Sequence, residues 1–407
     1  MFKKLKRNLI LFLTLTLLTV SAAPALSAET EGTVVDFYTT LTDGATIKSP
    51  QTTFYVFSND ANGNKIEPTV TFNGKKLSPE HSDSSMTSFK LVFSVEGKNT
   101  VTVTAGDKTL TYTIIYQLAA DGELIGYATW SIEMLSLGLG YLIEPVRLPI
   151  YAGENAAAEL VKLLEEHGYS CEYTGSVESS FYFSSINNVS LPTSLSECNV
   201  PGLLSEKLEE VGFSDQGASG DSLGEFEYTY GSGWMYSVNN VFPNVGFSDS
   251  YLCDGDVMRV QFTLAYGSDI GGGYAMGGGD DGGWFNLANK GNLLTAISYV
   301  NSSDKCDLLL AQKSVRKAFD EASDLAMDLL AAQDDVNAAA AALNEAVAAV
   351  QKPYDVNVDG KVNILDMIVL KKIISKEYRE TLNSDINSDG AHNSADLTLL
   401  RQKLLAA

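Results

Sequence analysis

The sequence predicts a multidomain chain: an all-β sandwich, an α+β domain, a small α-helical bundle and, towards the C-terminus, two loop–helix units. Three observations predict this. Residues 30–118 alternate short β-branched or aromatic runs with Gly, Asn and Asp turns. Residues 125–270 mix such runs with one amphipathic helical stretch, and nearby, from Gly267 to Gly283, nine of seventeen residues are Gly. Residues 355–366 and 385–396 repeat one spacing of Asp, Asn and Gly thirty positions apart.

Composition narrows the function classes. The chain has 407 residues, 51 Asp and Glu against 28 Lys and Arg, and a formal charge of −23. So acidic a surface excludes nucleic acid as the main partner, because phosphate binding needs cations. Only three His are present, far apart at 81, 167 and 392. That disfavours His-based metal catalysis and a Ser-His-Asp triad. Lys3, Lys4, Lys6 and Arg7, the apolar run Leu9–Val20 and the small residues up to Ala28 have the order of a secretory signal peptide. The apolar run is too short to span a bilayer, and no later segment is long and apolar enough for an integral membrane segment. Residues 1–28 are therefore expected to be removed, leaving an extracellular chain. Export permits disulfides among Cys171, Cys198, Cys253 and Cys306, and the wide spacing equally allows free thiols.

In the sandwich, residues 30–118, strands are expected at Phe54–Phe57, Thr69–Phe72, Phe89–Val95, Thr100–Thr104 and Thr109–Ile115. Turns at Asn73-Gly74, Glu96-Gly97 and Gly106-Asp107 separate them. The closing stretch from Gly97 to Gly106 resembles the last hairpin of bacterial immunoglobulin-like surface domains, which implies a spacer.

In 125–270, Pro149-Ile150-Tyr151 ends a strand and Glu154–His167 is a helix with Ala157, Leu160, Val161 and Leu164 on one face, stopped by Gly168. Further strands are expected at Phe181–Phe183, Gly233–Val238 and Val257–Leu264. Asp254-Gly255-Asp256 reads as a hairpin turn. The stretch Gly233-Trp234-Met235-Tyr236-Ser237-Val238-Asn239, followed by Gly246-Phe247-Ser248, Tyr251 and Asp254-Gly255-Asp256, resembles the transcobalamin C-terminal-like domain. Trp234 and Tyr236 are two apart on one strand and share a face. That face is either core packing or, with Tyr251, an aromatic ligand platform.

Residues 271–285 read as a Gly-rich flexible linker. Residues 286–351 are expected to be helical, with Val336, Ala339, Ala340, Leu343, Ala346 and Val347 at helical spacing. The segment Gln333–Ala346 resembles the FIVAR helical module, implying a semi-rigid spacer.

The repeated spacing carries the clearest chemistry. Ca²⁺ is a hard ion that takes six to eight oxygens. Alternate positions of a tight loop converge on one point. In the first loop these are Asp355, Asn357 and Asp359, the backbone carbonyl of Lys361, Asn363 and Asp366. In the second they are Asp385, Asn387 and Asp389, the carbonyl of Ala391, Asn393 and Asp396. Gly360 and Gly390 take the sharp turn between them. Each loop runs into an apolar-periodic helix, and Asp rather than Glu closes each set.

Two such repeats over 353–407 resemble the type I dockerin module. The resemblance implies two Ca²⁺ ions and docking to a cohesin module of a scaffoldin in a cellulosome- or amylosome-like complex. The positions that contact cohesin in type I members correspond to Ile364, Leu365, Lys371 and Lys372 in the first repeat. In the second they are Ser394, Ala395, Arg401 and Gln402. The Ser-Thr pair of many members is absent, and the two copies differ.

Together these parts predict a secreted, non-catalytic component, held at the cell surface through a scaffoldin. It would display a domain that binds polysaccharide (starch or plant cell-wall glycan) or another ligand. The alternatives are a dockerin-bearing glycoside hydrolase in polysaccharide catabolism and a corrinoid or small-molecule binder. No catalytic constellation is evident in the sequence.

Overall fold

The computed structural model describes residues 33–82, 86–243, 245–276 and 283–406. The expected signal segment lies outside the described residues.

The N-terminal part is a two-sheet sandwich. Its strands are β1 (Asp36–Thr39), β2 (Thr46–Ile47), β3 (Gln51–Asn59), β4 (Thr69–Phe72), β5 (Lys75–Lys76), β6 (His81–Ser82), β7 (Thr87–Val92), β8 (Gly97–Ala105) and β9 (Lys108–Tyr116). One sheet has the order β1-β3-β7-β6 and the other β2-β9-β8-β4-β5. Alternation along the strands buries Phe54, Val56, Phe89 and Leu91 of one sheet against Val70, Val101, Val103 and Ile114 of the other. The five expected strands fall within β3, β4, β7, β8 and β9, although β7 stops at Val92.

The middle part has β10 (Leu124–Glu133), β11 (Tyr141–Tyr151), α1 (Ala156–Glu166), β12 (Ser170–Ser176), β13 (Ser179–Asn187), α2 (Gly202–Val211), β14 (Ser222–Gly224), β15 (Gly233–Val238) and β16 (Val257–Thr263). A four-stranded sheet runs β11-β10-β16-β15, and a smaller one runs β12-β13-β14. β10 and β16 pair in parallel. Asp254-Gly255-Asp256 is therefore not a hairpin between neighbours. It is a turn that starts β16 beside β10, with the Gly255 N–H donating to the Tyr127 carbonyl and the Asp254 carboxylate accepting from the Tyr127 N–H. Asn155 caps α1, its side chain accepting from the Ala158 N–H, and Ala157, Leu160 and Leu164 pack into the core.

The helical part has α3 (Gly291–Asn301), α4 (Cys306–Leu310), α5 (Lys313–Met327) and α6 (Gln333–Val350), followed by α7 (Ile364–Ile374) and α8 (Ser394–Leu405). It is not a separate spacer. On β10 and β16, Trp130, Ile132, Val260 and Phe262 face the core shared with α1. The alternate residues Ser131, Glu133, Arg259 and Gln261 point to the opposite face, yet all four are buried. Helix α3 lies against this sheet: Ser298 Oγ is 3.0 Å from Thr129 Oγ1, and Asn301 donates to the Pro145 carbonyl at 2.9 Å. Val257 of the sheet belongs to the helical core.

The Gly-rich stretch differs from a free linker over its described residues. Asp269 is fully buried, accepting from Thr263 Oγ1 and, at 2.7 Å, from the Leu264 N–H. Trp284 packs edge-on against Phe213. Gly267 has φ +84, and a Cβ there would lie 2.7 Å from Met235 Sδ, so glycine serves a tight packed turn at that position. All four cysteines are unpaired.

Candidate calcium loops and docking face

Both loops have the same construction. Asp355 and Asp385 open them. In the first, Asp355 accepts from the N–H groups of Asp359 (3.1 Å) and Gly360 (2.8 Å); in the second, Asp385 accepts from Asp389 (3.2 Å) and Gly390 (2.9 Å). Gly360 and Gly390 have φ +86 and +78, the left-handed turn expected of the sixth position. The fourth position is left-handed too, at Val358 (φ +55) and Ser388 (φ +57). A β-branched Val is strained there. Its side chain packs against the helical core, which holds it in place.

At the other end of each loop, Asn363 and Asn393 cap the following helix. Each closes a capping box with Asp366 or Asp396 three residues on. Asp366 accepts from Asn357 N–H at 3.1 Å and Asn363 N–H at 2.7 Å. Asp396 likewise accepts from Ile386, Asn387 and Asn393. These backbone bonds tie position 1 to positions 5 and 6, and position 12 to positions 3 and 9.

The donor set suits a hard cation. Asp355, Asp366 and Asp396 are fully buried carboxylates. No Lys or Arg forms an ion pair with them among the described residues. Burying an anion without a countercharge is costly. A carboxylate has about four lone-pair sites, so those committed to N–H groups retain capacity for a metal. Among the described residues, no three Asp, Glu, His or Cys side chains are gathered closely enough to hold a metal by themselves. The set depends as much on amide and backbone oxygens. At present the Asn357 and Asn387 amides donate to Asp359 and Asp389 at 2.9 and 2.8 Å.

All eight residues expected to face a cohesin are exposed: Ile364, Leu365, Lys371 and Lys372 on α7, and Ser394, Ala395, Arg401 and Gln402 on α8. Ile364 and Leu365 are 60% and 50% exposed. Ile368, one turn after Ile364 and 45% exposed, extends their apolar strip. Sequence reasoning missed it, although its i+4 spacing from Ile364 was the available signal. The two helices pack through Leu370, Ile373 and Leu400.

The tail is also tied to the bundle, which the sequence reading did not anticipate. Leu382, between the repeats, is buried in the helical core. The Asn383 amide donates to Val350 O at the end of α6 and to Asp355 O of the first loop, both at 2.8 Å, and Lys305 donates to the Leu382 carbonyl at 3.1 Å.

The aromatic candidates of the middle part do not form an open platform. Trp234 donates its indole N–H to the Leu223 carbonyl at 2.8 Å and packs edge-on against Phe262. Tyr236 is buried, packs at a tilt on Phe247 with ring centroids 4.2 Å apart and donates to the Val245 carbonyl. Both rings are spent on the core because β13 and the Phe247 turn cover that face. Tyr251 is half-buried and lines a small cavity of about 100 Å³ against β3 and β7, so it is not brought together with the other two into one surface.

Residues 353–405 match the Dockerin type I domain. That match supports a calcium-binding, cohesin-docking component of a cellulosome-like complex. No curated protein matches the chain. Similar solved structures include domains 4 and 5 of the S-layer protein SbsC (21% identity, 21% of this chain and 53% of that one, TM-score 0.18). Others are the Lin-41 filamin domain (16% identity, 20% and 93%, TM-score 0.17) and SbsC domains 5–6 (14% identity, 56% and 98%, TM-score 0.24). This chain thus spans about half of the first of these. TM-scores of this size transfer nothing further from those proteins. Among the described residues, no helix is long and apolar enough to cross a membrane.

Proposed function

We propose that this chain is a secreted, non-catalytic component of a cohesin–dockerin assembly, attached to a scaffoldin through residues 353–405 and displaying the preceding domains as a glycan- or ligand-binding body. The observation that carries the reading is the pair of similarly built loops closed by the buried, uncompensated Asp366 and Asp396 within the dockerin match. Two Ca²⁺ ions would be held by Asp355, Asn357, Asp359, the Lys361 carbonyl, Asn363 and Asp366, and by Asp385, Asn387, Asp389, the Ala391 carbonyl, Asn393 and Asp396. Bound calcium supplies the countercharge that these loops lack. With the loops ordered, α7 offers an apolar strip flanked by Lys371 and Lys372, and α8 a polar face with Arg401. The two faces differ, so the first repeat is read as the main cohesin contact, with the apolar strip as its anchor.

The test is capture of the full chain on immobilised type I cohesins, with calcium and with a chelator. Capture should require calcium and fall at least about tenfold in Ile364→Ser/Ile368→Ser, the loss expected for an anchor worth about 1.4 kcal/mol or more. Calcium-independent capture, or capture unaffected by the double substitution, sinks the reading.

A further inference from the structure

The sandwich, the four-stranded sheet and the helical part meet around a cleft of about 520 Å³. That volume falls within the roughly 300–1,000 Å³ of small-molecule sites. Its floor carries Arg259 and Lys290, 6% and 2% exposed. Arg259 gives Nε and Nη2 to the two Glu133 oxygens at 2.9 and 2.7 Å, so that pair is neutral. Lys290 is different. It donates to the carbonyls of Ala326 (2.9 Å) and Asp328 (2.6 Å), and among the described residues it has no carboxylate in ion-pair range. When Lys290 is protonated, one of its three N–H groups has no acceptor among the described residues, and the floor then carries one net positive charge in a desolvated place.

The rim has another character. Tyr38, 55% exposed, stacks on Phe57 at 4.7 Å and forms a flat apolar wall. The lining also holds exposed amides. The Asn240 Nδ2, the whole Asn286 side chain and the Asn289 Nδ2 make no hydrogen bond among the described residues; Asn240 and Asn289 use only their oxygens, for Arg259 and the Gly291 N–H. A buried ammonium without a carboxylate partner, amides free to bond a ligand and an aromatic wall together suit one kind of molecule. It has a carboxylate, several hydroxyls and a flat C–H face.

We propose that this cleft binds a sugar acid of the hexuronate class, its carboxylate at Lys290 and Arg259, its hydroxyls on the Asn amides and its ring against Tyr38. The proposal rests on the reading of the preceding domains as a displayed binding body, and names its ligand class. Burial, then the Arg259 charge, lowers the Lys290 pKa to about 7, with Glu133 and Asp328 acting the other way. Tyr141, whose hydroxyl shares the Ala326 carbonyl, is held neutral by burial and by Glu133. Arg259 and Glu133 stay ionised. A bound carboxylate therefore raises the Lys290 pKa, takes up a proton above pH 7, and binds more weakly at pH 8 than at pH 6.

The experiment is titration calorimetry of the full chain with D-galacturonate, D-galactose, polygalacturonate and starch at pH 6 and pH 8. Galacturonate should bind at least about tenfold tighter than galactose, as one charge-assisted hydrogen bond implies. Proton uptake at pH 8 should show in buffers of different ionisation enthalpy. Tyr38→Ala and Lys290→Met should each weaken binding about tenfold; Tyr38 is exposed, so its variant keeps the test open if Lys290→Met does not fold. Binding of the monomer alone supports a free sugar acid, and binding of the polymer competed by the monomer supports a polysaccharide source. Galactose or starch bound as well as galacturonate overturns the proposal and leaves the displayed-body reading standing. Unchanged affinity in both variants also overturns it. No binding of any of these sugars overturns the proposal and the glycan half of the displayed-body reading, while the docking reading stands or falls on cohesin capture.

Discussion

Asn383→Ala should uncouple the calcium loops from the helical bundle. The Asn383 amide holds the last turn of α6, through Val350 O, and the first loop, through Asp355 O, with two 2.8 Å bonds. Each such bond contributes about 0.5–1.5 kcal/mol net, so losing both costs about 1–3 kcal/mol. Leu382 beside it is buried in the bundle core and still adheres in the variant. If the first loop holds calcium as proposed, chelation in the wild type should loosen that loop and, through Asn383, the end of α6. A coupling of about 2 kcal/mol corresponds to roughly a thirty-fold change in exchange protection. The assay is hydrogen exchange of α6 peptides covering residues 343–350, in excess calcium and in chelator. The wild type should lose protection there on chelation; Asn383→Ala should start less protected and respond little. If α6 protection in the wild type is identical with and without calcium, the bundle and tail are independent and this reasoning is refuted.

Asp366→Ala should leave the Asn357 and Asn363 N–H groups without their acceptor, at about 1–3 kcal/mol each, and lower the helicity of the tail by circular dichroism even in excess calcium. Glu133→Gln should destabilise the middle domain by about 3–5 kcal/mol in denaturant unfolding, because it leaves the Arg259 charge buried and unpaired. Burial raises the Glu133 pKa, but the Arg259 charge and the bonds from Arg259 and Ser131 outweigh it and hold it below the usual 4.5. The stability from this group is therefore present above pH 4.5 and lost as the pH falls further. Glu159 has the opposite sign. Both its oxygens lack hydrogen bonds, and burial, then Glu154, raises its pKa to about 8, against a weak pull from the Trp130 indole. The unfolded chain ionises it first, so it costs the fold up to about 4 kcal/mol as pH rises from 4.5 to 8. Glu159→Gln should therefore gain thermal stability over wild type at pH 8 and little at pH 5; an equal difference at both would exclude an ionising Glu159.

What was legible in the sequence was what local physics decides. The loops were legible because a converging oxygen set and a left-handed sixth residue need Asp, Asn and Gly at fixed offsets, and Gly360 and Gly390 adopt that turn. The strands of the sandwich were legible because one face is buried and side chains alternate. The docking of α3 was not. Ser131, Glu133, Arg259 and Gln261 alternate with core residues and have the pattern of a solvated sheet face. They are buried because a helix about 160 residues further along the chain from β10 covers them, and because Glu133 and Arg259 neutralise each other there.

The same misdirection explains the Gly-rich stretch and the spacer. Glycine content speaks for flexibility only when nothing fixes the backbone. Here Asp269 fixes its first turn from within the core, and the helices beyond return to the sheet rather than leading away from it. The consequence is functional. Were these segments free, the tail would swing independently of what it carries. Instead Leu382, Asn383 and Lys305 join the tail to the helices, the helices join the sheet through Thr129 and Pro145, and Tyr55, Met86 and Val241 join the sheet to the sandwich. A partner that grips α7 would thus hold the cleft between the sandwich and the helices at a fixed orientation.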